Sequence, residues 1–486
     1  MVKDRRRLLI SVVLVILLAG FLRFYNIQWS FSNNGIDEGI MLERSLMVGK
    51  GYDLYSELPC DQAPLAFYIG SFFGGEVVPL RALVAALSLL AIGVSMFVST
   101  RMKDARAMVI TGLLLSVDFV FLRESRLFSL DALTSCLIAL SILPFMMYAR
   151  NGRRDMLAVA GLLVGLAATA KLFGGLALIG MIVFMLLEAR REKKKLPGTA
   201  LDLLLVMVAA ALPVLAFMAY LGPGDMFDGM VFQQGERGFD PFLKLSIVAY
   251  FGLNLAYVLP LACARRLWKS SAEARFLLSL SLVLLIFMIL QPLVFLHHMA
   301  LLSPSLAILS GVVIVEMFDA NKSDVPNPCK PTEKLKSART GVAFLAVAMV
   351  GIVVSACFAS YGLELQGKPM QAVFGGWMES NTSPDEFVIA GDPIMSAYAH
   401  RMTPPEIVNV AFRQHQNLTL DIIVGAIEEY DVNVVIVCYR LNDIDGLSEY
   451  LMDSEFSRTV INAGAADMAV LDLFQEDIGP VTLYRR

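Results

Sequence analysis

Eleven apolar runs, most of them close to the length needed to cross a bilayer, fill the first three quarters of this 486-residue chain. They lie near 8–25, 77–100, 107–122, 127–149, 156–170, 172–187, 199–221, 243–262, 276–296, 299–317 and 341–361. Roughly 20 consecutive apolar residues cross a bilayer as a helix, and inside the hydrocarbon every backbone N–H and C=O must be satisfied within the protein. A chain so divided is confined to a helical bundle. Composition agrees, with 57% hydrophobic and 17% charged residues, far more apolar than a soluble domain of this length. The sequence predicts an α-helical polytopic membrane protein with about 11 transmembrane helices.

Lys and Arg set the expected orientation. Placing the N-terminus in the cytoplasm puts Met1 to Arg7 and the loops 101–106, 150–155, 188–197, 264–275 and 318–339 on that side, and these hold 24 of the 40 Lys and Arg. That asymmetry is the positive-inside pattern. The first run is followed by Arg23 and Tyr25 with no small-residue cleavage site, so it reads as a retained helix rather than a signal peptide. Six Cys stand singly and four His include one adjacent pair, His297-His298. Neither pattern announces a disulfide framework or a metal site, and no metal ligand is assigned.

Composition shifts near residue 362. From there to 486 the chain carries 19 Asp and Glu against 7 Lys and Arg and has no membrane-length apolar run. Short β-rich runs at 387–390, 434–438, 468–474 and 481–484 alternate with helix-compatible segments. Two units are expected: residues 1–361, a transmembrane domain whose first outer loop spans 26–76, and residues 362–486, a small soluble α/β domain outside the cytoplasm.

Chemistry concentrates at the outward ends of the helices. Asp37 and Glu38 adjoin in a polar loop just beyond the first span, poor packing material and good material for proton transfer. Asp37 also suits capping of the helix that follows, and Glu38 suits its dipole. Arg123 and Arg126 fill a short outer turn, and Lys171 sits between two apolar segments beside Gly174 and Gly175. Basic groups there suit a lipid-linked phosphate. The plainer reading has the two Arg snorkelling to headgroups or pairing with Glu124 and Asp131.

Asp37-Glu38-Gly39, Gly49, Tyr52, Tyr55 and Asp61-Gln62-Ala63-Pro64-Leu65-Ala66-Phe67-Tyr68 together resemble the first outer loop of C-superfamily glycosyltransferases. The likeness is to the protein mannosyltransferase and aminoarabinose transferase type, its archaeal members above all. Ser125-Arg126-Leu127 with Asp131-Ala132-Leu133, Thr169 to Gly174, and His298 to Pro304 continue it in the same order. The resemblance implies an inverting transfer of one sugar from a polyprenyl phosphate, with Asp37 as base and Arg126 and Lys171 on the phosphate. We add Glu38 to the catalytic set, Arg123 to the phosphate contacts, and Tyr55, Asp61, Gln62, His298 and Arg237 as substrate contacts. Gln62 and Ala63 stand where some relatives carry Lys before a Pro-Pro pair, and many relatives carry Tyr in place of His298. The implied partners are a polyprenyl-phosphate-linked sugar, a glycan, lipid or protein acceptor, and membrane lipids, with no nucleic acid. No cofactor is firmly implied, and a divalent cation is compatible.

The residues support this chemistry without the likeness. A lipid phosphate is a good leaving group, so transfer needs a base for the acceptor hydroxyl and cations for the departing charge. A nucleotide-sugar donor would call for a Gly-rich strand-turn-helix fingerprint, which this sequence lacks. A transporter or lipid flippase, whose charges would line a pathway, is the competing reading.

Overall fold

A computed structural model describes residues 2–29, 36–193, 196–232, 239–322, 331–364, 369–408, 418–461 and 481–486. Ten helices open the chain: α1 Val2–Phe24, α2 Ile36–Lys50, α3 Leu65–Ser71, α4 Val77–Met102, α5 Ala105–Val117, α6 Phe119–Glu124, α7 Leu130–Asn151, α8 Arg154–Ala170, α9 Leu176–Arg191 and α10 Leu196–Leu221. Among the described residues, six helices are long and apolar enough to cross a membrane: Val77–Met102, Leu130–Asn151, Leu172–Arg191, Pro197–Leu221, Ala272–Leu290 and Leu296–Asp319. A seventh results if Phe242–Leu253 and Leu255–Ala262, bent by 96°, are one span. Leu8–Phe24, Ala105–Val117 and Met349–Tyr361 are shorter apolar helices.

Among the described residues eleven full-length spans are therefore not found, and polar residues at the breaks explain two of the shortfalls. Asp118 ends α5 and caps α6, accepting from the backbone N–H groups of Val120 and Phe121 at 3.0 and 3.1 Å. Its carboxylate also accepts from Tyr257 Oη at 3.0 Å and Asn254 Nδ2 at 3.4 Å. Asn254 is itself the break in the bent pair. One buried polar knot thus interrupts two apolar runs and satisfies the groups it exposes.

The basic segments assigned by sequence to a single face do meet at one end of the bundle. Lys103 and Arg106 pair with Asp319, Arg150 with Glu273, Arg266 with Glu316, and Arg275 with Glu188.

Beyond the long helix Pro331–Glu364, four strands form a mixed sheet in the order β1-β2-β4-β3. They are β1 Ile389–Ala390, β2 Val434–Val437, β3 Ser457–Ile461 and β4 Val481–Arg485. β1 runs parallel to β2, while β4 is antiparallel to both β2 and β3. The period-2 alternation of Val434 to Val437 sends Val434 and Ile436 toward Phe374 and Met378 on one face. Val435 and Val437 pack with Ile423, Ile427 and Leu451 on the other. The run near 468–474 read as a strand from sequence lies outside the described residues.

This segment is seated on α2. A Cβ on Gly39 would lie 2.2 Å from the backbone N of Ile394, so the glycine of Asp37-Glu38-Gly39 lets the helix Pro393–Ala399 press directly on α2. Further along, Thr403 Oγ1 donates to Glu43 Oε1 at 2.7 Å, and Tyr398 Oη donates to the carbonyl of Gln28 at 3.3 Å.

Candidate functional site

The end of the bundle opposite the basic segments gathers α2, the start of α7, the end of α8 and the turn Leu296–Leu302. Ser129 caps α7 by accepting from the backbone N–H of Asp131 at 3.2 Å, which sets Asp131 in the first turn where the helix dipole favours a carboxylate. α8 ends at Ala170, and Lys171 leaves it extended (φ −153°, ψ 135°). The turn that follows doubles back so tightly that a Cβ on Gly174 would lie 2.3 Å from the carbonyl carbon and oxygen of Ala167. Gly174 serves backbone approach. The result aims Lys171 Nζ at both oxygens of Asp131, 2.9 and 2.7 Å away, with the Phe173 ring centroid at 5.3 Å.

Two imidazoles complete this corner. His297 Nε2 lies 3.9 Å from Asp131 Oδ2 and stacks on Phe295 at 5.5 Å. His298 is buried, edge-on to Phe173 at 5.2 Å, and its Nδ1 accepts from the backbone N–H of Phe295 at 3.4 Å. Asp131, His297 and His298 each offer one metal-ligating atom, all within 4.8 Å of one another. The charges of Lys171, Asp37 and Arg123 also act on the His297 ring, so Asp37, exposed in the first turn of α2, borders the same corner.

Arg123 brings a buried cation with a nitrogen to spare. Its guanidinium is 4% exposed, its nearest carboxylate oxygen is Glu124 Oε1 at 3.6 Å, and its Nε makes no hydrogen bond. Glu124 is a weak partner, because burial holds its carboxyl above the usual range despite Arg123, and Ser129 Oγ donates to it at 2.5 Å.

Several expected site residues are committed elsewhere. Glu38 is no free base: its oxygens accept from Arg81 Nε and Nη2 at 2.8 and 2.5 Å and from the backbone N–H of Phe128 at 2.8 Å. A side chain so buried and bonded fixes α2 against α4. Arg126, expected on the donor phosphate, instead donates to the carbonyls of Leu22 and Tyr25, tying the end of α1 to the α6–α7 turn. Tyr55 Oη donates to the carbonyl of Gln62 at 2.7 Å, and burial pushes its phenol up. Asp61 is buried 3.9 Å from Arg44 and accepts from Gln62 Nε2 at 3.3 Å, and Arg44 Nη2 donates to the carbonyl of Pro59 at 2.6 Å. Arg237 lies outside the described residues.

Sequence reasoning left out His297 and gave Asp131 only a pairing role. Their signals were present: an adjacent His pair at the end of an apolar run in a chain with four His, and a Ser-x-Asp cap opening another. Nothing in the sequence brings the two together, since that takes the packing of the Leu296–Leu302 turn on α7.

Residues 61–217 match the family model described as dolichyl-phosphate-mannose-protein mannosyltransferase. The structure of ArnT from Cupriavidus metallidurans bound to undecaprenyl phosphate superposes with a TM-score of 0.64 at 15% identity, over 98% of this chain and 97% of that one. At this identity the likeness shows a shared fold. The oligosaccharyltransferase of Archaeoglobus fulgidus in its apo form matches at a TM-score of 0.58 and 16% identity, over 88% of this chain and 69% of that one. The same organism's AglB, in complex with an inhibitory peptide and a dolichol-phosphate, matches at 0.56 and 16%, over 89% and 69%. No curated protein sequence matches the chain.

Proposed function

We propose that this chain is an integral-membrane glycosyltransferase that moves a single sugar from a polyprenyl phosphate to a glycan, lipid or protein acceptor. The observation that carries the reading is the corner where the Lys171 ammonium on Asp131 and the buried guanidinium of Arg123, its Nε without a hydrogen bond, lie at the end of the bundle that also presents the exposed carboxylate Asp37. ArnT with undecaprenyl phosphate and AglB with dolichol-phosphate support a lipid-linked donor in this fold. The orientation follows the Lys and Arg distribution, with the N-terminus cytoplasmic and the site end outward, so that residues 1–361 carry the chemistry and 362–486 form an outward unit seated on α2.

The acceptor oxygen attacks the anomeric carbon as its proton passes to Asp37. The bond from that carbon to the phosphate oxygen breaks in the same step, which inverts the carbon. The lipid phosphate leaves with the electron pair, and Arg123 and Lys171 meet its charge. Asp37→Asn keeps size and capping ability and removes the base. Turnover of a radiolabelled polyprenyl-phosphate sugar should fall by about 10² to 10⁴ while the protein still purifies normally. Wild-type turnover in this variant would remove Asp37 from the mechanism.

A further inference from the structure

Two cations have claims on Asp131. Lys171 Nζ holds both of its oxygens, while His297 and His298 stand on another side with their ligating atoms inside 4.8 Å. Two imidazoles and one carboxylate are the donor set of a borderline divalent ion such as zinc, and three protein ligands leave a coordination position open. The rings are held by an apolar wall: Phe295 stacks on His297, and Phe173 packs edge-on to His298. The Phe295 N–H reaches His298 Nδ1 at 3.4 Å, a long contact that orients the ring. An ammonium and a divalent ion on the same carboxylate repel each other, so occupancy by one weakens the hold of the other.

We propose that Asp131, His297 and His298 bind a zinc-type divalent cation, and that its binding displaces Lys171 Nζ from Asp131 and frees the ammonium for an incoming phosphate. The first half stands on the ligand geometry alone; the second rests on the lipid-phosphate donor proposed above. Lys171 is then a cation held in reserve, and Asp131 exchanges one positive partner for another without becoming a bare buried charge.

Cobalt(II) serves as the probe, because its visible absorption reports the ligand set independently of activity. The purified full chain in lipid nanodiscs should bind one equivalent. His297→Ala and His298→Ala should each weaken binding about 10- to 100-fold, comparable with the losses seen when a metal site's supporting groups are removed. Lys171→Met should tighten binding at least several-fold, a gain that a misfolded protein would not give. Cobalt binding that is absent, or equal in all four proteins, overturns the site. Loss in the His variants with no gain in Lys171→Met overturns the exchange. Binding of undecaprenyl phosphate should rise with cobalt in the parent protein but not in Lys171→Met. A chain that binds cobalt as expected yet never binds the lipid phosphate keeps the metal site and loses the proposed donor.

Discussion

Of the ion pairs buried at this end of the bundle, Glu38–Arg81 is closed and Asp131–Lys171 is not. In Glu38–Arg81 the guanidinium spends all five N–H groups, on both oxygens of Glu38, the carbonyls of Ile27 and Gln28, and Tyr398 Oη. In Asp131–Lys171 the carboxylate faces two further imidazoles, and the neighbouring Arg123 has a buried Nε with no hydrogen bond. A fully satisfied pair is a fastener, since every group has traded water for a fixed partner. A pair bordered by unspent groups is built to meet something else. Burial and charge are alike in the two, so it is the census of partners that separates scaffold from site.

The comparison breaks first at Arg81. Arg81→Met leaves Glu38 buried without its counter-ion and should destabilise the protein by about 3 to 5 kcal/mol. Thermal unfolding of the detergent-solubilised protein and its yield read this, and a variant of normal stability would show that the pair is no fastener. Arg123→Gln should act the other way round. Glu124 keeps its bond from Ser129, so stability should hold, while affinity for a polyprenyl phosphate falls by about 1.5 to 3 kcal/mol, roughly 10- to 100-fold. Loss of stability with unchanged lipid-phosphate binding would return Arg123 to the scaffold.

The smallest effect belongs to Glu43, whose carboxyl is pushed up to about 8, chiefly by burial and further by Asp392, against bonds from Thr403 and Ser396 and the charge of Arg44. Between the ordinary carboxylate range and about pH 8 the folded chain holds this proton and the unfolded chain does not. Folding stability from this group is therefore full at acid pH and declines as pH rises toward 8. Glu43→Gln should flatten that slope in melting temperatures measured from pH 5 to 8.5. An unchanged slope would exclude Glu43 as its source.

That the chain is mostly helical and crosses a membrane was legible because apolar run length is a local property, whereas the number of spans was not, since breaks within runs depend on distant partners. Asp118 was missed, since a carboxylate inside an apolar run reads as a blemish until Tyr257 and Asn254 are seen to bind it. The site was half legible. Asp37, Arg123 and Lys171 stood out as costly charges at helix ends, but whether a charge is spent depends on contacts between distant segments, as Glu38 with Arg81 and Arg126 with Leu22 demonstrate. The contacts of Tyr398 with Arg81 and of Thr403 with Glu43 join segments more than 300 residues apart in the same way.

That docking has a consequence for the making of the protein. The helix that carries Asp37 leaves the ribosome early, yet Thr403, which grips Glu43, follows 360 residues later. At roughly 5 to 20 residues per second that is on the order of 20 to 70 s of synthesis. Throughout that interval the helix has the bilayer and its neighbours but not its cover. A nascent or prematurely ended chain can insert its spans and still lack the contacts that cover α2, so the proposed base is seated only once Thr403 has been made.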